Sequence, residues 1–576
     1  MEYRHRTVFL ILRRMRAPLL LLIVVYAVSI LGLVLMPGVD SAGQPYRMDF
    51  LHAFYVVTYT VTTIGFGELP YTFSAAQRLW MMVTIYLGVV AWFYAIGTLI
   101  ALVQDAAFRQ VIRENRFAAA VRRLTSPFYI VCGYGDTGSV VVREMVDHGL
   151  SAVALDIDPE RINELSLEDL QTYVPGLCVD ASDTRHLVLA GLHHPQCAGV
   201  VAVTNRDVAN LKIAITVKLL SPGLKVICRA ESHDTEANMV SFGTDAVINP
   251  FDAFADRLAM ALHSPDLHLL VDWLTQPPGR PLPVRTTRPP RGTWVLCGYG
   301  RFGKAVHRYL QYEGIETVII EATPEKVQAP KGTVHGRGTE AVTLREAKIE
   351  QAVGIVAGTD DDTNNLSIIM TARELNPSLY LVARQNGGDN DAIFTAAKAD
   401  LVMQRAGILA NRILSLVSTE LLTPFLHEAR HQKEEWAHQL VKRVWPLAGN
   451  ATPDLWTVDI TPAGAAAVHT ALTAGEKVTL AHLLTDPAVH DESLPCLALL
   501  LQREEGIVLT PEDNTPLVIG DRILMCGRPG IERRMAGTMH NLNLLRYVRT
   551  GVWRPDGLLW RWWSERRAEA VRSRAH

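Results

Sequence analysis

The sequence predicts a multidomain protein: an α-helical two-span membrane portion, two α/β Rossmann-like units, and a C-terminal α+β domain. Three observations predict it. Two long apolar runs without charge lie near the N-terminus, a strand–G-x-G-x-x-G–helix pattern occurs twice, and a strand-rich segment follows the second. The length of 576 residues suggests about four units at roughly 150 residues each. With 20% charged and 49% apolar residues, disordered and fibrous classes are excluded for the bulk of the chain. A net charge of −3 gives no reason to expect a nucleic-acid partner. The 7 cysteines are scattered without a C-x-x-C pair, which argues against a disulfide scaffold or a zinc ribbon.

The first span is read at 17–36 and the second at 79–103, because about 20 apolar residues cross the hydrocarbon layer. Arg4, Arg6, Arg13, Arg14 and Arg16 precede the first span, and Arg109, Arg113, Arg116, Arg122 and Arg123 follow the second. Basic residues stay on the cytoplasmic side, so both ends are expected inside and the connection outside.

Within that connection, Phe50–Thr62 is apolar and aromatic but too short to span, as a re-entrant helix would be. Thr63-Ile64-Gly65-Phe66-Gly67-Glu68 follows directly. Two glycines alternating with side-chain residues let successive carbonyls point the same way. Four such segments can replace the water shell of a potassium ion. The run resembles the potassium-channel signature T-V-G-Y-G-D. The resemblance implies a selectivity filter at Thr63, Ile64, Gly65, Phe66 and Gly67, with Glu68 at the outer mouth concentrating cations. Phe66 lacks the hydroxyl of the usual tyrosine, and Tyr59 stands where some family members carry a buried glutamate. By the same resemblance Gly88, 21 residues after Gly67, is the expected gating hinge; close helix packing is the alternative use of that glycine.

Phe128–Gly138 runs from an apolar strand into Gly133, Gly135 and Gly138, and the next strand ends at Asp156. Here the first glycine turns the chain, the second admits pyrophosphate, the third packs helix on strand, and the acid holds a ribose diol. The pattern recurs at Gly298, Gly300 and Gly303 with Glu321, offset by 165 residues; later landmarks, Arg229 on Arg384 among them, shift by 155. Coincident offsets indicate an internal duplication. The first unit is read at 127–274, a Pro/Arg-rich linker at 275–291, the second unit with its crossover helices at 292–440, a small β-rich domain at 441–530 and a tail at 531–576. The segment 104–126 is expected to be a helical linker. The paired units resemble RCK (regulator of potassium conductance, or TrkA-N) domains, Asp180 in the run 176–183 included, and 441–530 resembles the TrkA-C domain that follows them. In copy one Asp136 would repel phosphate and in copy two Arg301 would attract it, so copy two is expected to be the better nucleotide site.

The resemblance implies a prokaryotic two-span potassium channel gated by its RCK domains. Potassium is the permeant ion, NAD or an adenine nucleotide the effector, and Ca²⁺ a further candidate. It implies a homotetramer in the cell inner (plasma) membrane with both termini cytoplasmic. Two other readings are a membrane-anchored NAD-dependent oxidoreductase and a regulatory subunit of a potassium uptake system. Against the first, no nucleophile motif or substrate domain accompanies the glycine loops; against the second, the filter lies in this same chain. No metal ligands are assigned; Asp360-Asp361-Asp362 is the acidic run that could take a divalent ion. Trp553, Trp560, Trp562 and Trp563 among arginines suggest lipid headgroups or a neighbouring domain as contacts for the tail.

Overall fold

The computed structural model describes residues 2–276, 278–281, 288–489 and 492–552. The tryptophan-rich segment 553–576 and residues 277 and 282–287 of the proline-rich linker therefore lie outside the described residues. Two compact units divide the chain, Met1–Arg123 and Leu124–His576.

In the first unit, α1 (Glu2–Leu35) and α3 (Ala75–Gln104) are both long and apolar enough to cross a membrane. Between them lies α2 (Phe50–Val61), capped by Asp49, whose side chain accepts from the His52 N–H. α3 starts earlier than the apolar run at 79, because Ser74 and Gln77 form a capping box there. α1 meets α3 at a glycine: a Cβ on Gly32 would sit 2.0 Å from the Trp80 ring, whose indole N–H donates to the Ser29 carbonyl at 3.0 Å. α4 (Ala106–Val121) follows after a break at Asp105, which caps it.

The second unit opens with a parallel sheet of β1 (Phe128–Cys132), β2 (Ser151–Asp156), β3 (Gly176–Cys178), β4 (Cys197–Ala202), β5 (Lys225–Arg229) and β6 (Ala246–Ile248). Its spatial order is β3-β2-β1-β4-β5-β6. After β1 comes α5 (Asp136–Asp147); after β6 come α6 (Pro250–His263) and α7 (Pro265–Thr275). Copy two repeats the order with β7 (Trp294–Cys297), β8 (Thr317–Glu321), β9 (Val334–His335), β10 (Gly354–Ala357), β11 (Tyr380–Gln385) and β12 (Leu401–Gln404). Its sheet runs β9-β8-β7-β10-β11-β12, with α8 (Arg301–Tyr312) after the first strand. In both sheets the order reverses beside the first strand, where such folds bind ligands at the strands' carboxyl ends.

The copies exchange their closing helices. α6, which follows the first sheet, places Phe251, Phe254, Leu258 and Leu262 in a core with Trp294, Phe302 and Val306 of copy two. In return α9 (Arg405–Ser418), which follows the second sheet, packs Leu409, Ile413 and Leu414 against Tyr129, Val142 and Met145 of copy one. Phe254 is 1% exposed, so Phe254→Ala should cost about 3–5 kcal/mol. Hydrogen exchange should place that loss in the amides of copy two, although the residue belongs to the segment following copy one.

Beyond α9, α10 (Leu422–Ala429) and α11 (Glu434–Ala448) join α7 in one core with Leu497, Leu499, Leu500 and Leu524 of the last sheet. That sheet is antiparallel, ordered β13 (Asp454–Asp459), β16 (Arg522–Gly527), β14 (Cys496–Arg503) and β15 (Gly506–Leu509). Two expected boundaries need correcting. The limit placed at 440/441 falls inside α11, because Leu440, Val441 and Val444 are buried on one face of a single helix. Residues 531–550, read as tail, form α12 (Ile531–His540) and α13 (Leu542–Thr550); Ile531, Met535, Met539 and Leu545 belong to the core of the small domain.

Candidate functional sites: a carbonyl filter and two glycine-loop cavities

The loop after α2 carries positive φ at every second residue: Thr63 at 62°, Gly65 at 66° and Gly67 at 100°. This alternation between opposite backbone hands aligns successive carbonyls, and a non-glycine residue at positive φ marks strain where function requires it. The loop is tied to α2, with the N–H groups of Ile64 and Gly65 donating to the Tyr59 carbonyl at 2.9 and 3.2 Å. The Tyr59 hydroxyl donates to the Gly67 carbonyl at 2.5 Å, and its ring meets Phe66 edge-on at 5.6 Å. Tyr55 stacks on the same Phe66 at 6.3 Å. A hydroxyl from α2 therefore braces the loop at the Gly67 carbonyl, whereas Phe66 has none to offer.

Glu68 does not stand as a free charge. Its oxygens accept from Arg78 Nε and Nη2 at 2.8 and 3.1 Å and from the Phe73 N–H at 2.8 Å. The guanidinium beside the carboxylate offsets part of its field. Gly88 has a packing reason: a Cβ there would lie 2.5 Å from Val61 Cγ2, so α3 passes close to the end of α2.

In the second unit Gly133 and Gly298 turn the chain at φ 101° and 96°. A Cβ on Gly138 would lie 1.8 Å from the Gly133 carbonyl oxygen, and one on Gly303 would lie 2.0 Å from that of Gly298. The middle glycines differ: a Cβ on Gly135 or Gly300 meets nothing within 4 Å. They face the cavities. Both are N-cap residues without a side-chain cap, leaving the first N–H groups of α5 and α8 available to an anion. Asp156 accepts from the Tyr134 and Asp158 N–H groups at 2.5 and 2.8 Å; Glu321 accepts from those of Tyr299 and Thr323 at 2.7 and 2.9 Å. Each acid thus ends its strand beside the loop.

The cavity of copy one, about 1050 Å³, is bounded by Gly135, Asp156 and Asp180 and also by Gln385, Asn386 and Asn411 of the other copy's elements. Copy two's cavity, about 570 Å³, holds Gly300, Glu321, Arg337 and Arg384. The charge argument that favoured copy two changes in the structure. Asp136 pairs with Arg161 at 3.2 Å, and Arg301 reaches Glu231 of copy one at 2.8 Å. One phosphate-repelling charge is countered, and the phosphate-attracting one is engaged.

Two features were missed in the sequence. Arg337 occupies the place of Asp180, since Asp156 pairs with Cys178 and Glu321 with His335, each two residues earlier. Buried Asn210 and Asn365 hold the cavity rims: each Oδ1 accepts from Thr204 or Thr359 N–H, at 3.0 and 2.9 Å, and each Nδ2 reaches the Arg229 or Arg384 carbonyl. The signal was present as a threonine followed by asparagine six residues on, in both copies.

Two carboxylates of the acidic run, Asp361 and Asp362, are engaged within the fold, and Asp360 lines the cavity of copy two. Asp361 caps its helix by accepting from the Asn364 N–H. Asp362 lies below the usual carboxylate range: burial opposes this, but the Asn390 and Asn386 side chains and the Gly387 and Asn386 N–H groups outweigh it. A depressed carboxyl stabilises the fold above its unfolded pKa, and that contribution is lost as pH falls through the lower folded value. Asp362→Asn should therefore lower the melting midpoint at about pH 7, with the deficit shrinking toward about pH 3. Thermal denaturation of the detergent-solubilised chain across that range tests this.

Residues 19–105 match the ion-channel family model, and 129–250 and 294–405 each match that of the TrkA-N domain. The chain is a membrane protein in which one two-span ion-channel domain precedes two TrkA-N domains. In this combination of domains it is similar to proteins named as potassium channels. "Potassium channel protein 1" of Methanocaldococcus jannaschii is 27% identical over 221 residues, 38% of this chain and 64% of that protein. "Voltage-gated potassium channel Kch" of Escherichia coli is 20% identical over 228 residues, 39% of this chain and 52% of that one. The chain thus matches less than two thirds of these relatives' length. Among solved structures, "GsuK channel bound to NAD" is 16% identical with a TM-score of 0.45, covering 93% of this chain and 99% of that one. "Crystal structure of the GsuK bound to ADP" is 20% identical at a TM-score of 0.45, covering 72% and 100%.

Proposed function

We propose that the protein is a potassium-selective channel opened or closed by a nucleotide bound at the glycine loops. The observation that carries this is the alternating positive φ at residues 63, 65 and 67, on a loop tethered to a short helix between two spans. One such loop offers a single row of carbonyls, so four chains surround one ion and the protein is a homotetramer. Four chains bring eight TrkA-N copies together as a ring. The flanking arginines put both termini in the cytoplasm of a cell whose plasma (inner) membrane holds the protein.

NAD and ADP are the ligands named for the similar GsuK structures, and either suits a loop that offers helix N–H groups and an acid at the next strand end. Asp156, Asp180 and Glu321 face the ribose side, and Gly135 and Gly300 admit the phosphates. A gate moved from 1:99 to 99:1 requires about 5.5 kcal/mol of differential binding, or about 1.4 per chain over four chains. One charge-assisted hydrogen bond made in a single ring state supplies that. The strain reaches the pore through 104–126 and bends α3 at Gly88. Ca²⁺ has no support from the acidic run, whose carboxylates 361 and 362 are engaged with backbone and asparagine donors.

Potassium flux into sealed vesicles, with NAD, ADP or ATP added to the side bearing the TrkA-N domains, tests both parts. Potassium flux exceeding sodium flux and changing severalfold with nucleotide is expected. Equal passage of both ions would overturn the selectivity, and indifference to every nucleotide would overturn the gating.

A further inference from the structure

The internal duplication supplies a control for a second cavity, well away from the glycine loops. In copy one, Arg257 on α6 is neutralised by Asp272 on α7; that carboxylate also lies 3.9 Å from His268 Nδ1. Both Asp272 and His268 are buried. The 155-residue offset carries these three positions onto Arg412, His427 and Thr423. The arginine is retained, the aspartate has become histidine, and the histidine has become threonine.

The consequence is a part-buried cation that has lost the ion pair of its counterpart. Among the described residues no carboxylate pairs with Arg412. Its pKa falls below the ordinary arginine value, through burial first and then through the neighbouring Arg430, against a smaller opposing pull from Asp256. Arg430 itself is held by Asp256 at 3.1 and 2.6 Å. The Thr423 hydroxyl oxygen is buried and has no hydrogen-bond partner. Arg412, Thr423 and His427 line one cavity of about 390 Å³, whose apolar walls are Pro424, Leu426 and Ile507. Glu428 is the carboxylate in that lining, and it makes no ion pair with Arg412.

We propose that this cavity is a binding site for a small organic carboxylate, which takes the place that Asp272 fills in copy one. The carboxylate accepts from Arg412 and the Thr423 hydroxyl, and its hydrocarbon body lies against Pro424, Leu426 and Ile507. A part-buried cation without an ion pair gives up hydration for nothing, and copy one answers the same arginine with a carboxylate of its own. The site joins α9, which closes the sheet of copy one, to α10 and to β15 of the small domain. It does not depend on the channel reading.

The test uses the full chain in detergent, with isovalerate as probe and chloride at matched ionic strength as control, read by melting midpoint and titration calorimetry. Isovalerate should raise the midpoint saturably. Arg412→Gln should weaken binding by about tenfold or more, the loss of one charge-assisted pair. His427→Asp, which restores the side chain of copy one, should raise the midpoint without ligand and abolish the response to isovalerate. An equal response from wild type and Arg412→Gln would overturn the proposal. So would a wild type that ignores isovalerate while Arg412→Gln melts lower, since a carboxylate of a neighbouring subunit then fills the place. His427→Asp keeps the test decisive if Arg412→Gln fails to fold.

Discussion

Vesicles carrying Gly65→Ala protein should pass no potassium, while the TrkA-N domains melt as in the wild type. Gly65 sits at φ 66°, where an L side chain costs about 1–2 kcal/mol. A Cβ there meets nothing within 4 Å, so the substitution strains the backbone without a clash inside the chain. Relief of that strain rotates the peptide, and in the proposed tetramer one rotated carbonyl from each chain removes a complete layer of ion ligands. Tyr59→Phe should act more mildly by freeing the Gly67 carbonyl. The ratio of potassium to sodium flux should fall severalfold, and Phe66→Tyr in the same chain should restore part of it by returning a hydroxyl to the aromatic cluster. Wild-type flux from Gly65→Ala would exclude this loop as the conduction path.

The second large effect separates binding from folding within one motif. Gly300→Val adds atoms to an open cavity wall at an ordinary backbone conformation, so the protein should fold normally and lose nucleotide binding at copy two. Gly135→Val should do the same at copy one. Gly303→Ala drives a methyl to 2.0 Å from the Gly298 carbonyl oxygen, and Gly138→Ala drives one to 1.8 Å from that of Gly133. Those chains should lose stability by several kcal/mol, with binding lost as a consequence. Calorimetric titration with NAD and ADP, beside a melting curve for each variant, distinguishes the classes. The full chain is required, because copy two without α6 lacks Phe251, Phe254 and Leu258 from its core.

What could be read from residues alone was short in range. The loop at 63–67 and both glycine loops declare themselves within a dozen residues, because backbone chirality and close approach fix the glycines locally. Charge was harder. Glu68 and Arg301 stood as free charges in the sequence, yet Arg78 and Glu231 reach them only through the fold. Arg337 was hidden because copy two replaces Asp180 with a residue of opposite sign, so a search for the same motif passes over it. The helices at 531–550 carry too many arginines to look like core. Met535 and Leu545 are nonetheless buried, one face of each helix sufficing. The helix exchange leaves no local trace, since α6 is amphipathic whichever sheet it covers.

That exchange also dictates where the chain can be recombined. A graft of the first TrkA-N copy taken at the proline-rich segment would carry away the lid of its neighbour and arrive without its own. Workable junctions would instead have to cut before Pro250 and before Arg405, leaving each lid with the host. Transplanting ligand specificity from one such protein to another therefore means moving sheets between fixed lids, or moving the whole pair.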